Sequence, residues 1–430
     1  MIEVFDVSSL ALPALPANWH YRTVKEIGAS GEQPVLTGPF GTNLGCSDFI
    51  ETGVPLLTIG CLTQSGINLD KALFVSEAKA EELSRYRLKA GDLLFSRMAS
   101  VGRAGLVPKW LEGALFNYHI MRLRLDESRI DTRLFINYVR GAPQVRDYLK
   151  AVNHGATRDG INTEQLLGLP IAVPPIGEQR EIVAEIEKQF SRLDEAVANL
   201  QRVKANLKRY KASVLNDAVE GRLVEGDYQY ELVKLGSVAN LIDPQPSHRT
   251  PPTHADGVPY IGIGDVLENG KVDLQNSRKV SLTVLAEHRA RYTLRMGDFI
   301  FGKIGTLGKP TLLMPPYDYT LSANVVLVQA DGVRLLPEYA LIFMESPKLV
   351  NIVNRDAKAT TQAAYGIKRM RDLNIELPNI DLQRRIIAEV DRRLSLIRGV
   401  VAEVDANLQR AQTLRISILA TAFQSGAGGV

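Results

Sequence analysis

Two copies of one pattern run through this 430-residue chain, and each closes in a long stretch whose apolar residues step by alternating four and three. Gly53-Val54-Pro55 returns as Gly257-Val258-Pro259, an offset of 204, with Gly60 falling on Gly264 and Gly66 on Gly270. Gly91-Asp92-Leu93-Leu94-Phe95 returns as Gly297-Asp298-Phe299-Ile300-Phe301 at 206, and Val101-Gly102-Arg103 as Leu307-Gly308-Lys309 at the same offset. Pro174, Gln179, Ile182, Ala184 and Glu185 then meet Pro378, Gln383, Ile386, Ala388 and Glu389 at 204. A repeat this long exceeds any solenoid unit and implies two domains of one fold.

The closing stretch of each copy is the clearest periodic element. Ile186, Phe190, Leu193, Val197, Leu200, Lys204, Leu207, Lys211, Val214 and Ala218 form one seam, and an offset of 204 gives Val390, Leu394, Ile397, Val401, Val404, Leu408, Ala411, Arg415, Ile418 and Ala422 as the other. A spacing of 3.5 residues keeps one stripe facing a partner helix over many turns, which is the geometry of a coiled coil. From Glu178 to Glu220 such a helix measures roughly 65 Å. A helix packed alone on its own domain usually carries a wider apolar stripe. The two seams are therefore expected to satisfy each other as an antiparallel pair, which would put the globular domains at opposite ends. Lys211 and Arg415, at equivalent seam positions, are expected near the ends of the paired region with their charges reaching water. Gly221 supplies a stop for the first helix.

Elsewhere the rhythm is short and β-like, as in Pro55 to Ile59 and Asp92 to Phe95, and a helix is expected from Thr132 to about Val152. Pro174-Pro175 and Pro378 end the globular segments and leave the next helix a clean start. The expected boundaries are 1–176 and 225–379 for the globular domains, and 177–224 and 380–430 for the helices. A net charge of +3 argues weakly for a polyanionic partner, so any basic surface has to be argued locally. Two cysteines, Cys46 and Cys61, are too few for a disulfide framework and leave no Cys/His zinc set, which suggests a reducing cytoplasm. No run reaches the ~18 apolar residues of a membrane span, and no basic leader precedes the apolar start.

Sequence motifs give no catalytic centre and no metal site. Met314-Pro315-Pro316-Tyr317 resembles the motif with which amino-methyltransferases hold a flipped base, but Met314 cannot accept the hydrogen bond that Asp, Asn or Ser would. The run Gly302 to Pro310 resembles a phosphate loop, yet its glycine spacing is wrong and Pro310 stands where Ser or Thr would hold magnesium. What does recur is a cationic, glycine-bounded loop after a strand. Ser96 to Arg103 carries Arg97 and Arg103, and Gly302 to Lys309 carries Lys303 and Lys309. Small residues there let backbone N–H groups approach an anion. A second loop pair, 154–160 and 360–366, offers Arg158 and Gln362 to base edges or phosphates, with Lys368 just beyond.

Gly38-Pro39-Phe40-Gly41-Thr42-Asn43-Leu44, Gly91 to Arg97, Leu169 to Gln179 and Ala212 to Leu223 resemble the conserved stations of the specificity subunit of type I restriction-modification systems. The order of parts matches over nearly the whole chain. The second copy departs at Leu377 to Gln383, which lacks the second proline and the acid before Gln383. The resemblance implies a mixed α/β (α+β) fold of two repeated globular target-recognition domains with two long antiparallel coiled-coil helices. It implies a non-catalytic subunit that binds double-stranded DNA at an asymmetric bipartite target. Two modification subunits using S-adenosylmethionine to methylate adenine, and restriction subunits using ATP and Mg2+, are the implied partners, with no membrane and no cofactor of the chain's own. Half-site centres about one helical turn apart, roughly 10 bp, would let both domains face one side of the duplex. The DNA contacts expected are Arg97, Arg103, Arg158, Lys303, Lys309, Gln362 and Lys368. A coiled-coil scaffold that assembles partners without touching DNA, and a free-standing methyltransferase, are the competing readings.

Overall fold

The computed structural model describes residues 12–40, 43–63, 66–98, 101–153, 160–226, 228–247, 249–267, 270–357 and 364–425. The chain divides into two compact units, 1–200 with 406–430, and 201–405, so the division falls inside both long helices.

Unit 1 is built on a four-stranded antiparallel sheet in the order Val35–Thr37, Ile120–Leu123, Leu93–Ser96, Ala104–Leu106. The middle strands are buried on both faces, which is why Leu93 to Ser96 reads as a continuous apolar run ending in a small polar residue. A second four-stranded sheet, ordered Leu115–Phe116, Val54–Leu57, Leu73–Val75, Phe49–Ile50, covers one side. Two helices, Thr132–Gly141 and Pro143–Asn153, cover the other and bury Phe135, Tyr138 and Tyr148. The single helix expected over 132–152 is thus broken at Ala142. Pro143 has no N–H to continue the ladder and forces Ala142 into extended geometry at ψ 126°.

Unit 2 repeats the plan. Its antiparallel sheet runs Ala239–Ile242, Val325–Ala330, Phe299–Gly302, Gly308–Leu312, and helices Pro337–Glu345 and Pro347–Ala357 stand where the first pair stands. Gly91 and Gly297 enter their equivalent strands at φ 87° and 90°, a left-handed turn that favours glycine and accounts for that recurring residue.

The long helices span Ile176–Val219 and Ile380–Ser425 and pack together as the periodicity predicts. In unit 1 the early part of the first helix meets the late part of the second: Arg415 Nη1 donates to Asp194 Oδ1 at 2.8 Å and its guanidinium lies 4.3 Å over the Phe190 ring. In unit 2 Lys204 Nζ meets Asp405 Oδ1 at 2.6 Å. Ile186, Val214, Ala218, Val390, Ile397, Val404, Ala411, Ile418 and Ala422 are buried, and Phe190, Leu193, Val197, Leu200, Leu207, Leu394, Val401 and Leu408 are partly buried. The seam cations stay partly exposed to water and also find protein partners: Lys211 Nζ binds Glu345 Oε1 at 2.7 Å, and Arg415 uses Asp194.

Each helix is anchored at its start by a buried glutamine. Gln179 Nε2 donates to the carbonyls of Pro174 and Arg129 at 2.8 and 3.0 Å, while its Oε1 accepts from the Asp131 N–H at 2.7 Å. Gln383 does the same with Pro378, Arg334 and Leu336 at 2.8, 2.7 and 2.9 Å. Strand end, long helix and packing helix are tied at one point in both units. Among the described residues no helix is long and apolar enough to cross a membrane.

Candidate nucleic-acid interface

In each unit the antiparallel pairing brings four loops to one end of the central sheet. Strands Val35–Thr37 and Leu93–Ser96 leave that end while Ala104–Leu106 and Ile120–Leu123 enter it, so residues 38–40, 97–98 with 101–103, and 117–119 share it. The fourth loop arrives at Gly160, which bridges to Met98. Backbone hydrogen bonds weld the cluster: Arg97 N–H to His119 O at 3.0 Å, Ile161 N–H to Arg97 O at 2.9 Å and Gly38 N–H to Ile120 O at 3.2 Å. Ser96 closes the hairpin base, accepting the Arg103 N–H on Oγ at 2.9 Å. Unit 2 reproduces the weld with Lys303 N–H to Asn324 O at 2.9 Å, Tyr365 N–H to Lys303 O at 2.8 Å and an Ile304 to Ala364 bridge. The described ends of the second loop pair, Gly160 and Ala364 to Gly366, therefore adjoin the first loop of their own unit.

The expected contacts fall into different situations. Arg103 and Lys309 are exposed on their hairpins. Lys309 holds φ 51°, the only non-glycine positive φ among the described residues, beside Gly308 at 89°. Arg97 is half-buried, its Nε donating to Ile161 O at 3.3 Å, and burial lowers its pKa from the usual value. Lys303, at the equivalent position, is 4% exposed and its Nζ sits 2.7 Å from Asp243 Oδ2. That ammonium ties the hairpin to the loop after Ala239–Ile242 instead of facing solvent. Lys368 is exposed on the short helix Ile367–Arg371, close to the welded Tyr365, where Arg369 and Arg371 add positive charge. The corresponding helix of unit 1, Thr163–Leu167, carries no cation. Arg158 and Gln362 lie outside the described residues.

Two of the four loops were not singled out as contacts by their residues. Phe40 and the turn Asn117-Tyr118-His119 have no cationic signature. The signal that would have found them is the repeat itself, since Asn117 to Ile120 corresponds to Ser322 to Val325 at an offset of 205. His119 has a lowered pKa, caused first by burial and then by the nearby Arg97 charge. The imidazole is therefore neutral at neutral pH.

In unit 2 a buried relay braces the first loop. Tyr292 and Thr320 hydroxyls are 2.9 Å apart, Thr320 Oγ1 lies 2.5 Å from His288 Nδ1, and His288 Nε2 donates to Gln245 Oε1. Because the amide oxygen only accepts, His288 carries its proton on Nε2 and receives the Thr320 hydroxyl proton on Nδ1. Gln245 Nε2 in turn donates to Ser247 Oγ at 2.8 Å and Arg249 O at 3.2 Å, which fixes the loop that displays Arg249. Such an end presents cations, backbone N–H groups and neutral polar edges on rigid strands, the equipment for holding phosphates and reading bases.

Known proteins match this arrangement. Residues 16–209 fit the family model described as type I restriction modification DNA specificity domain. The type I restriction enzyme EcoBI specificity subunit of Escherichia coli is 23% identical over 336 residues, covering 73% of this chain and 69% of that protein. The EcoKI specificity subunit of Escherichia coli K12 is 26% identical over 302 residues, covering 67% of this chain and 64% of that one. Among solved structures, a chain from work on assembly and conformational transition of a type I restriction-modification system superposes with TM-score 0.66 at 16% identity, covering 96% of this chain and 100% of its own. The HsdS subunit from Thermoanaerobacter tengcongensis gives TM-score 0.53 at 16% identity, covering 96% and 99%. Both structures share its fold. With the repeat, the paired helices and the duplicated loop cluster alongside these matches, residues 16–209 carry a type I restriction modification DNA specificity domain, and the chain as a whole is similar to type I restriction enzyme specificity subunits.

Proposed function

We propose that this chain chooses the DNA sequence for a type I restriction-modification complex. Each unit reads one half of an asymmetric, interrupted duplex target, and the paired helices set the gap between halves. The observation that carries this is the loop cluster: it recurs with the same backbone weld in both units, but with unlike side chains at its tips. The same frame with different chemistry suits two different half-sites. Two modification subunits would methylate adenine with S-adenosylmethionine and restriction subunits would use ATP and Mg2+, leaving this chain without a catalytic step or cofactor of its own. Exposed apolar residues on the long helices, Tyr210, Leu396, Val400 and Leu414, lie outside the pairing seam and offer contact area to protein partners. The free thiols of Cys46 and Cys61 suit a reducing cytoplasm.

Methylation-aware sequencing of the host genome with the gene deleted and restored tests the proposal. The expected result is a bipartite adenine motif that vanishes and returns with the gene. A methylation pattern indifferent to the gene would reject it and favour a scaffold that never touches DNA. Filter binding of genomic fragments by the chain with its modification subunit gives the same decision in vitro, and equilibrium dialysis with S-adenosylmethionine separates out a methyltransferase acting alone.

A further inference from the structure

The loop cluster of unit 1 carries an aromatic feature with no equivalent among the described residues of unit 2. Phe40 is 56% exposed at the tip of the loop after Val35–Thr37. Its ring stacks on Tyr118 with centroids 5.9 Å apart and planes 27° apart, and Tyr118 in turn lies 3.8 Å from the neutral His119 ring. The Arg97 N–H binds His119 O, so the aromatic stack abuts the cationic hairpin. Gly38 permits this closeness: a Cβ there would sit 2.3 Å from Asn117 O and push the Phe40 loop off the Tyr118 turn. In unit 2 the matching loop reads Asp243-Pro244-Gln245-Pro246-Ser247, and Ala323 stands where Tyr118 does.

An exposed phenyl group is costly to leave in water, and here it is braced by Tyr118 at the same end of the sheet as the hairpin that carries Arg97 and Arg103. A protein-docking face is the less fitting occupant, because the ring shares its end of the sheet with the exposed Arg103 and the half-buried Arg97. A duplex offers both a phosphate for the cations and an apolar base step for the ring. We propose that Phe40, backed by Tyr118, is a wedge that enters a base step of the half-site bound by unit 1. The inference rests on the DNA-recognition reading. Partial insertion unstacks the step and favours flexible pyrimidine–purine steps there, adding specificity without hydrogen bonds to that base pair. Unit 2, with a locked polar loop instead, reads its half-site without a wedge.

The test uses the complex with modification subunits and a duplex bearing the genomic methylation motif, with 2-aminopurine placed in turn at each position of both half-sites. Apart from the methylated adenines, where base extrusion by the modification subunits raises the signal by itself, wild-type complex is expected to raise 2-aminopurine fluorescence at one further step, in the half-site bound by unit 1 only. Phe40→Ala is expected to abolish that rise and weaken cognate binding roughly ten-fold or more, while the slope of log K against log salt stays unchanged, since stacking and not a phosphate contact is lost. Phe40→Leu keeps an apolar wedge and should restore most of both signals. Phe40 lies outside the core, so these variants leave folding intact. Wild-type fluorescence that rises only at the methylated adenines, or Phe40→Ala binding like wild type, overturns the wedge alone. Loss of assembly with the modification subunits in Phe40→Ala also overturns it and marks the ring as a protein contact. A wild-type complex that does not bind DNA overturns the wedge together with the function it rests on.

Discussion

Lys309 combines an exposed charge with a strained backbone. Its φ of 51° costs a side-chain-bearing residue about 1 kcal/mol, and it is held there between Gly308 and Pro310 with its side chain exposed. Lys309→Gly removes strain and charge together. The thermal midpoint should not fall, while the salt slope of DNA binding should drop by about one unit, as it should for Arg103→Ala. Unchanged slopes measured by filter binding at several salt concentrations would take both residues off the interface. His288 makes a second residue-scale case. Burial, as the largest cause, lowers its pKa from 6.5, so the native state resists a proton that the unfolded chain accepts at the ordinary value. The stability this neutral ring contributes is complete above about pH 6.5 and is lost as pH falls through the depressed native value. Unit 2 should therefore melt progressively earlier as pH falls below about 6.5. His288→Gln should flatten that dependence relative to wild type, and equal slopes in scanning calorimetry would refute the assignment.

At the scale of elements, the buried glutamines decide where each long helix begins. Replacing Gln383 by Leu leaves the carbonyls of Pro378 and Arg334 and the Leu336 N–H without partners in a buried site, at a cost of about 2–4 kcal/mol. Gln179→Leu should cost a similar amount in unit 1, and chemical denaturation followed by circular dichroism reads both; losses below about 0.5 kcal/mol would mean the carbonyls find water. These elements were also the most legible part of the sequence. Ile186 to Ala218 declares its partner because a 3.5-residue period has one geometric meaning, and Pro174 with Gln179 repeats as Pro378 with Gln383. The candidate interface was only half legible. Arg97 and Lys303 sit at one offset in equivalent hairpins and read alike, but Asp243, sixty residues upstream of Lys303, claims one of the two cations, and nothing local announces that. Tyr118 joins the cluster through strand pairing with Leu93–Ser96, a long-range fact without a short-range sign. The helix expected over 132–152 failed at Pro143, where periodicity across the break outweighed the local stop.

For the whole molecule, the proposal makes the helices a spacer, which turns their length into base pairs. Removing one heptad from each, 198–204 with 402–408, keeps the apolar phase of both seams. It shortens the pair by roughly 10 Å, or about 3 bp of duplex at ~3.4 Å per step. The methylated motif should keep both half-site sequences and lose about 3 bp from its gap; an unaltered gap would show that the helices do not set it. Exchanging 225–379 for the corresponding segment of a similar specificity subunit should replace one half-site and preserve the other.

The Gly141 contact has a consequence for how the chain is made. Leu419 lies so close to Gly141 that a Cβ on the glycine would come within 2.1 Å of it, and Ala422 and Phe423 complete the same core, with Phe423 edge-on to Tyr138 at 5.0 Å. The first half to emerge from the ribosome thus lacks a wall until the final turns of the last helix are synthesised. During that interval Phe135, Tyr138 and Val139 have an open side, so translation must run nearly to residue 423 before the earliest-born core can shut.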